Sequence, residues 1–307
     1  MHFPVFGNSC RPFTSFITQF VPKHQKVTTD EIRAFQQFMD RNSQVLVLSG
    51  AGISTESGIP DYRSEGVGLY DRKGHKPIQY QDFLRSDGIR RRYWARNYCG
   101  WNRFSSFEPN SGHKCLAEWE RQKKVSAIVT QNVDRLHQRA GSELVIELHG
   151  SAYTVACLSC KYRVSRYLFQ QTLTQLNEDI ITSHEMDRNQ QLRPDGDIDI
   201  DSEFVSLFRY PSCPRCEALL KPDITFFGDN VSKAIVNSVY EMLSQSDALL
   251  VIGSSLQVYS GYRFALTAKE LNKAIAIVNI GPTRADTFHT ILRFNARAGD
   301  ILTQIVV

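Results

Sequence analysis

The 307-residue chain lacks any uninterrupted apolar run close to the roughly 20 residues that a transmembrane helix needs. We therefore expect no membrane partner. Acidic residues are missing from residues 1–29, which contain three basic ones, so the rest of the chain carries a net charge of only +1. A nearly neutral body offers no extended basic surface for phosphates, and we expect no nucleic-acid partner.

The acid-free N-terminal segment is rich in serine, threonine and phenylalanine and has no compact apolar core of the kind found in a secretory signal. This composition is typical of a mitochondrial transit peptide, and a solvated tail has the same composition. We interpret residues 1–28 as a transit peptide or disordered segment and place the folded part at residues 29–307. The interpretation predicts a location in the mitochondrial matrix.

Seven cysteines are too few and too unevenly spaced for a secreted fold stapled by disulfides. Four of them form two Cys-x-x-Cys pairs, Cys157 with Cys160 and Cys213 with Cys216. A redox site is the alternative for a single pair, but two pairs favour one tetrahedral Zn²⁺ with four thiolate ligands. Because four thiolates leave no coordination position open, we expect this zinc to be structural.

The spacer between the two pairs is 52 residues long, whereas a compact zinc ribbon needs about 15 to 20. Its second half, residues 187–203, is polar and carries an acid at every other position from Asp195 to Asp201. Such a segment can bury little surface, so we predict a long loop or insertion. This loop is either a solvated excursion or a functional loop that folds over the active site.

Short apolar runs alternate with helical stretches along most of the chain. We predict strands at residues 44–49, 125–130, 144–148, 248–253 and 274–279, and helices at residues 31–39, 113–123 and 231–244. Nearly continuous apolar runs are typical of strands buried on both faces. The pattern therefore predicts an α/β fold with a doubly wound parallel sheet, in which ligands bind at the carboxyl ends of the strands.

A glycine-rich turn, Gly50-Ala51-Gly52, follows the first predicted strand. A strand, a tight turn and a helix start together direct backbone N–H groups toward a phosphate, which predicts a dinucleotide ligand. The third glycine of the dehydrogenase fingerprint is replaced by Thr55, and no acidic ribose ligand follows a second strand at the expected distance. A dehydrogenase is therefore disfavoured.

Further motifs occur in a fixed order: GAGIST at 50–55, SGIPDYR at 57–63, TQNVDRLH at 130–137, LHG at 148–150, the two cysteine pairs, KPDITFFGD at 221–229, GSSL at 253–256 and VNIGPT at 278–283. This set resembles the sirtuin family over about residues 30–300. DYR, SEGVGLY, YWARN and the long insertion resemble its class II mitochondrial members.

The resemblance implies an NAD-dependent protein-lysine deacylase that transfers the acyl group to ADP-ribose and releases nicotinamide. It also implies a Rossmann-type large domain with a small zinc-ribbon plus helical domain. The large domain would comprise residues 29–64, 111–150 and 226–307. The small lobe would combine a helical module at 65–110 with a zinc module at 151–225. Its substrates would be acylated lysine side chains of mitochondrial metabolic proteins.

Site residues follow from the same resemblance. His149 would be the general base that takes a proton from the NAD ribose after the acyl-lysine oxygen has expelled nicotinamide. Gln131 and Asn132 would order the nicotinamide ribose and a water, and Asp134 with Ile59 would bind the carboxamide. The other implied NAD contacts are Gly50, Ala51, Gly52, Ser54, Asp61, Tyr62, Arg63, Tyr70, Gly253, Ser254, Ser255, Asn279, Ile280, Gly281 and Ala298.

Acyl choice depends on Tyr93 and Arg96, which resemble the Tyr-x-x-Arg pair of desuccinylating sirtuins. An enclosed guanidinium binds a carboxylate bidentately, so acidic, branched or lipoyl-type acyls are expected in preference to acetyl. The alternative is an exposed arginine beside the basic run at residues 90–92. Phe227 and Gly228 are expected to pair with the substrate backbone by strand addition.

Two other functions use the same NAD pocket. A mono-ADP-ribosyltransferase would pass ADP-ribose to a protein side chain of a mitochondrial metabolic enzyme. A catalytically silent NAD-binding scaffold would restrain such an enzyme by binding alone.

Overall fold

The computed structural model describes residues 20–64, 66, 68, 69, 77–183 and 192–307. Six parallel strands form its main sheet: β1 (Val45–Ser49), β2 (Val125–Thr130), β3 (Val145–Glu147), β7 (Ala248–Ile252), β8 (Ala274–Val278) and β9 (Ile291–Phe294). Their spatial order is β3-β2-β1-β7-β8-β9. The predicted parallel α/β sheet is confirmed, and only β9 was not anticipated.

Helices cover both faces of this sheet. On one face lie α1 (Thr29–Arg41), α4 (Ser111–Arg121) and α11 (Ala298–Leu302), and on the other lie α9 (Lys233–Gln245) and α10 (Tyr259–Glu270). Strand β1 serves both cores, because Val45 and Val47 pack with the first group and Leu46 and Leu48 with the second. Double burial is the reason that this strand is apolar without alternation.

The ends of β1 and β7 approach each other too closely for side chains. A Cβ atom on Gly52 would lie 2.8 Å from the Gly253 Cα, and one on Gly253 would lie 2.3 Å from the Ile53 nitrogen. Gly253 also has a φ of 59°, which favours glycine. The strand order reverses beside β1, and a crevice at this point is the usual ligand site of a doubly wound sheet.

A smaller lobe contains an antiparallel sheet of β4 (Gly150–Cys157), β5 (Arg163–Ser165) and β6 (Leu220–Ile224), in the order β5-β4-β6. Its helices are α2 (Tyr80–Arg85), α3 (Asp87–Ser105), α6 (Arg166–Leu176), α7 (Glu178–Ser183) and α8 (Ser202–Leu207). The short helix α5 (Leu136–Arg139) follows β2. Trp94 of α3, Phe169 of α6 and Phe204 of α8 belong to one apolar core beneath this sheet.

Residues 20–28 pack on the folded body, although we placed its start at residue 29. Phe20 is only 3% exposed, and the Nε2 atom of His24 lies 3.3 Å from the carboxylate of Asp300. Thr28 caps α1 by accepting a hydrogen bond from the Glu31 nitrogen at 3.2 Å. The ordered body therefore extends at least to Phe20. Among the described helices, none is both long and apolar enough to cross a bilayer.

Candidate functional site

A cavity of about 1070 Å³ lies at the carboxyl ends of β1, β2, β7 and β8, next to the small lobe. Most of the predicted site residues line it: Gly50, Ala51, Gly52, Ser54, Ile59, Asp61, Tyr62, Arg63, Tyr93, Gln131, Asn132, Asp134, His149, Phe227, Gly228, Gly253, Ser254, Ser255, Asn279 and Ile280. The volume is at the upper end of the range of about 300–1,000 Å³ for small-molecule sites. It suits a dinucleotide together with a second ligand.

Three other predicted NAD- or acyl-binding residues lie outside the large cavity. Ala298 lines a small cavity that shares Gly52, Asn279 and Ile280 with the large one. Gly281 lines neither of these cavities, and its N–H donates to Asn295 Oδ1 at 2.9 Å. Arg96 lines neither one either. Tyr70 falls outside the described residues.

His149 follows β3 and is fixed at both ring nitrogens. Its Nδ1 atom lies 2.9 Å from the Gln131 carbonyl oxygen, and its Nε2 atom lies 2.8 Å from the Ser260 hydroxyl. A carbonyl oxygen can only accept, so Nδ1 carries the proton and Nε2 has the lone pair. Burial lowers the pKa of His149 below its ordinary value, so the imidazole is neutral at pH 7. The ring therefore presents a basic nitrogen in the cavity.

A buried polar network joins the end of β2 to the glycine turn. The Asn132 side chain donates to the Gly50 carbonyl and to the Ser54 hydroxyl, each at 3.1 Å. Ser54 in turn donates to Asp134 at 2.7 Å, and burial raises the pKa of Asp134. Gln131 donates to the Ser254 hydroxyl at 2.8 Å, which ties β2 to the end of β7. These bonds preorganise the polar wall of the cavity.

The residues of the cavity fit NAD. At Gly50, a Cβ atom would lie 2.7 Å from the Gly253 carbonyl oxygen, so the backbones of the turn and the strand end meet with no room for a side chain at Gly50. Arg63 and Arg263 bring guanidinium groups to the same cavity, which suits a diphosphate. Ile59, Asn132 and Asp134 supply apolar and amide-binding groups to the wall beside His149.

The insertion between the cysteine pairs reaches the cavity, as the second of our two interpretations predicts, because Pro194 and Asp195 line its wall. Asp197 holds this segment in place by accepting from Arg96 Nε at 2.9 Å and from Arg193 Nη1 at 2.8 Å. The Arg96 side chain is only 15% exposed, so the alternative of an exposed helical arginine is wrong. A carboxylate clamp at Arg96 stays a prediction, since Asp197 and Asp199 already occupy its guanidinium.

Several cavity residues were missed. Ser260 and Arg263 lie in the first two turns of α10, and Pro22 lies in the N-terminal segment. The signal for the first two was available, because α10 follows the Gly-Ser-Ser end of β7 and its first turn must point toward the same crevice. Pro22 had no local signal, because its position depends on packing against distant residues.

The four cysteines of the two Cys-x-x-Cys pairs converge in the small lobe. The Sγ atoms of Cys157 and Cys216 are 3.5 Å apart, those of Cys160 and Cys213 are 3.6 Å apart, and all four lie within 4.8 Å of one another. Zn–S bonds of about 2.3 Å in a tetrahedron give S···S distances of about 3.8 Å, so this set fits Zn²⁺. The two ends of strand β4, beside His149 and at Cys157, pair with Ile224 and Leu220 of β6, which lie four residues apart, so roughly 13 Å separates them. Such a zinc would be structural.

Comparison with known proteins agrees with this geometry. Residues 50–260 match the model of the Sir2 family. The Drosophila melanogaster "NAD-dependent protein deacylase Sirt4" is 50% identical, with 94% of this chain and 90% of that protein covered. The Homo sapiens "NAD-dependent protein lipoamidase sirtuin-4, mitochondrial" is 48% identical, with 93% and 89% covered.

Solved structures are similar over the same length. One described as "Structural Basis for the Mechanism and Regulation of Sir2 Enzymes" superposes with a TM-score of 0.69 at 30% identity, covering 91% of this chain and 97% of the other. Another, described as "Sir2-p53 peptide-NAD+", has a TM-score of 0.68 at 27% identity, covering 89% and 96%.

Proposed function

Because the chain belongs to the Sir2 family, we propose that it is an NAD-dependent protein-lysine deacylase of the mitochondrial matrix. The observation that carries the proposal is the neutral imidazole of His149, whose Nε2 lone pair lies in one cavity with the glycine turn of β1. NAD supplies, when bound, the ADP-ribose that accepts the acyl group and the nicotinamide that leaves.

The residues of the cavity divide into two groups by chemistry. The glycine turn, Arg63 and Ser254 hold the diphosphate and its ribose, while Ile59 and Asp134 hold the carboxamide. Asp134 is kept in place by Ser54 and by the Leu136 N–H, which donates to it at 2.9 Å. Because Asp134 is already held in position, it can bind the carboxamide without rearrangement.

His149 accepts the proton of the reacting ribose hydroxyl at Nε2. The Gln131 carbonyl accepts from Nδ1–H throughout, so the imidazolium that forms keeps a hydrogen bond on that side. Tyr62 and Phe227 pack edge to face with their ring centroids 6.1 Å apart and line the cavity, where they exclude water. The general base thus acts in a dry pocket.

We propose a lipoyl-type acyl group as the main substrate, as the human and bovine relatives are named lipoamidases. Tyr93 belongs to one apolar core with Ile78 and Phe226, which also line the cavity, and this part of the wall suits a long neutral acyl chain. Burial and the nearby Asp195 raise the pKa of Tyr93, so its hydroxyl stays neutral. Arg96 is neutralised by the insertion, which weakens the case for acidic acyls.

The location rests on the relatives from Homo sapiens and Bos taurus, which are named mitochondrial. A transit peptide in this chain would end before Phe20, because Phe20 is buried in the folded body. Cleavage after Phe20 would remove residues that pack against the core. The N-terminus of the mature protein, determined by mass spectrometry from isolated mitochondria, tests this limit.

The function is tested by nicotinamide release and by mass spectrometry of lysine peptides that carry lipoyl, hydroxymethylglutaryl, succinyl or acetyl groups. His149→Tyr should lower release at least a hundredfold, since a general base contributes about 10²–10⁴. His289→Tyr is the matched control, because His289 is an exposed histidine and should leave the rate unchanged.

Two results would replace this proposal. If the wild type leaves every peptide acylated while label from the adenylate half of NAD becomes covalent on protein, the chain is an ADP-ribosyltransferase. If NAD binds and neither product forms, the chain is a scaffold.

A further inference from the structure

The first turn of α10 contains one of the two residues that hold the His149 imidazole and packs against the other. The Ser260 hydroxyl lies 2.8 Å from His149 Nε2. Its neighbour Gly261 lies so close to Gln131 that a Cβ atom there would be 2.8 Å from the Gln131 Oε1 atom. Gln131 is in turn the residue whose carbonyl accepts from His149 Nδ1 at 2.9 Å.

The direction of these bonds follows from the donor inventory. The Gln131 carbonyl can only accept, so the neutral ring has its hydrogen on Nδ1 and its lone pair on Nε2. The Ser260 hydroxyl must then donate to Nε2. A donor on that nitrogen fixes the tautomer and the rotation of the ring about its Cβ–Cγ bond, because the lone pair must point at the hydroxyl.

Gly261, the next residue of this turn, leaves room for the Gln131 side chain. The Gln131 side chain passes over the Gly261 Cα and donates to the Ser254 hydroxyl at 2.8 Å. Any larger residue at position 261 would push this side chain, and with it the backbone carbonyl that holds Nδ1. Both hydrogen bonds of the imidazole thus depend on one turn of α10.

We propose that Ser260 is a positioning residue for His149, holding Nε2 as the unprotonated nitrogen that faces the cavity. This inference rests on the proposed function, in which Nε2 accepts a proton. Nε2 has a single lone pair, so it can take that proton only after the Ser260 hydroxyl hydrogen has turned toward another acceptor. The ribose O–H bond then breaks as the Nε2–H bond forms, and no bond of serine breaks.

The first test needs neither NAD nor turnover. Protein labelled with ¹⁵N-histidine is compared as wild type, Ser260→Ala, Ser260→Thr and Ser244→Ala. Ser244 is the matched control, because it is an exposed helical serine whose hydroxyl donates only to the Glu241 carbonyl at 2.7 Å. We expect Ser260→Ala to move the Nε2 resonance of His149 downfield, as its lone pair loses a donor. Ser260→Thr and Ser244→Ala should keep the wild-type position.

The second test is kinetic. Ser260→Ala should lower kcat for nicotinamide release about fivefold, the rate equivalent of one neutral hydrogen bond of about 1 kcal/mol. The KM for NAD should stay within twofold, and Ser260→Thr should restore kcat to within twofold of the wild type. Gly261→Ala should lower kcat as well and shift both ring nitrogens, because it displaces Gln131.

The proposal is overturned if Ser260→Ala leaves the Nε2 resonance unchanged, or if threonine fails to restore what alanine removes. In the latter case position 260 matters only for packing. The spectroscopic test and the kinetic test distinguish a failure of this inference from a failure of the proposed function. A wild type that releases no nicotinamide refutes the deacylase, while a resonance shift in Ser260→Ala still supports the contact with His149.

Discussion

Asp197 should make the stability of the protein depend on pH between 6 and 8, and Asp197→Asn should remove that dependence. The carboxylate is 7% exposed and lies between Arg96 and Arg193. Burial, reinforced by the neighbouring Asp195, outweighs the two arginines and raises the pKa of Asp197 from 3.8 to about 7. The folded protein therefore holds this proton more tightly than the unfolded chain does.

The direction in which stability changes with pH follows from this difference between the folded and unfolded pKa values. A folded pKa above the unfolded value gives a stabilisation that is complete below about pH 4 and is lost as the pH rises through about 7. With these two pKa values the loss between pH 6 and pH 8 is about 1.3 kcal/mol. For a chain of 307 residues that corresponds to a decrease of about 2 °C in Tm.

The assay is thermal unfolding at pH 6 and pH 8 of the wild type, Asp197→Asn and Asp199→Asn. Asp199 is the matched control, because it binds the same two arginines but is 73% exposed. On going from pH 6 to pH 8, the Tm of the wild type and of Asp199→Asn should fall about 2 °C more than the Tm of Asp197→Asn. Parallel behaviour of Asp197→Asn and the wild type would refute the reasoning, since the buried carboxylate would then not be the titrating group.

Three further predictions concern the metal, the cofactor and the acyl group. Cys160→Ser should lower the zinc content from one ion per chain to near zero by elemental analysis, and Tm by more than about 10 °C; retained zinc would contradict the four-thiolate site. Gly52→Ala should weaken NAD binding at least tenfold by calorimetry, because its Cβ would lie 2.8 Å from the Gly253 Cα. Gly88→Ala should leave NAD binding unchanged, because its Cβ would meet only the Ser86 Oγ atom, at 3.9 Å. Arg96→Ala should slow all acyl peptides by similar factors because it releases the insertion; a loss confined to acidic acyls would show a carboxylate clamp instead.

The main sheet was predictable because its strands are buried on both faces. Strand β1 packs against a core on either side, so its five residues read as one apolar run. Three of the helices that cover the sheet, α1, α4 and α9, were predicted, whereas α10 and α11 were not. For α1, the capping box of Thr28 and Glu31 also fixes where the helix begins. Such signals are local, and they agree with the final packing.

The residues of the site also differ in whether the local sequence predicts them. Residues at strand ends were predictable, since the carboxyl ends of parallel strands meet at one edge of the sheet. The partners of Arg96 were not, because they come from Asp197 and Asp199, about one hundred residues later in the chain. Ser260 was missed for a related reason. Its contact with His149 depends on how α10 packs, and neither residue has a sequence pattern that names the other.

The Tyr-x-x-Arg pair and the alternating acids of the insertion form one structure. Tyr93 and Arg96 lie three residues apart on α3 and so share a face, on which the tyrosine lines the cavity and the arginine binds the insertion. The same ion pairs bring the Asp195 carboxylate to the cavity wall. An acyl carboxylate would meet an arginine whose guanidinium is already paired with Asp197 and Asp199. On the proposed function, this pairing of Arg96 with the insertion favours lipoyl-type acyls over acidic ones.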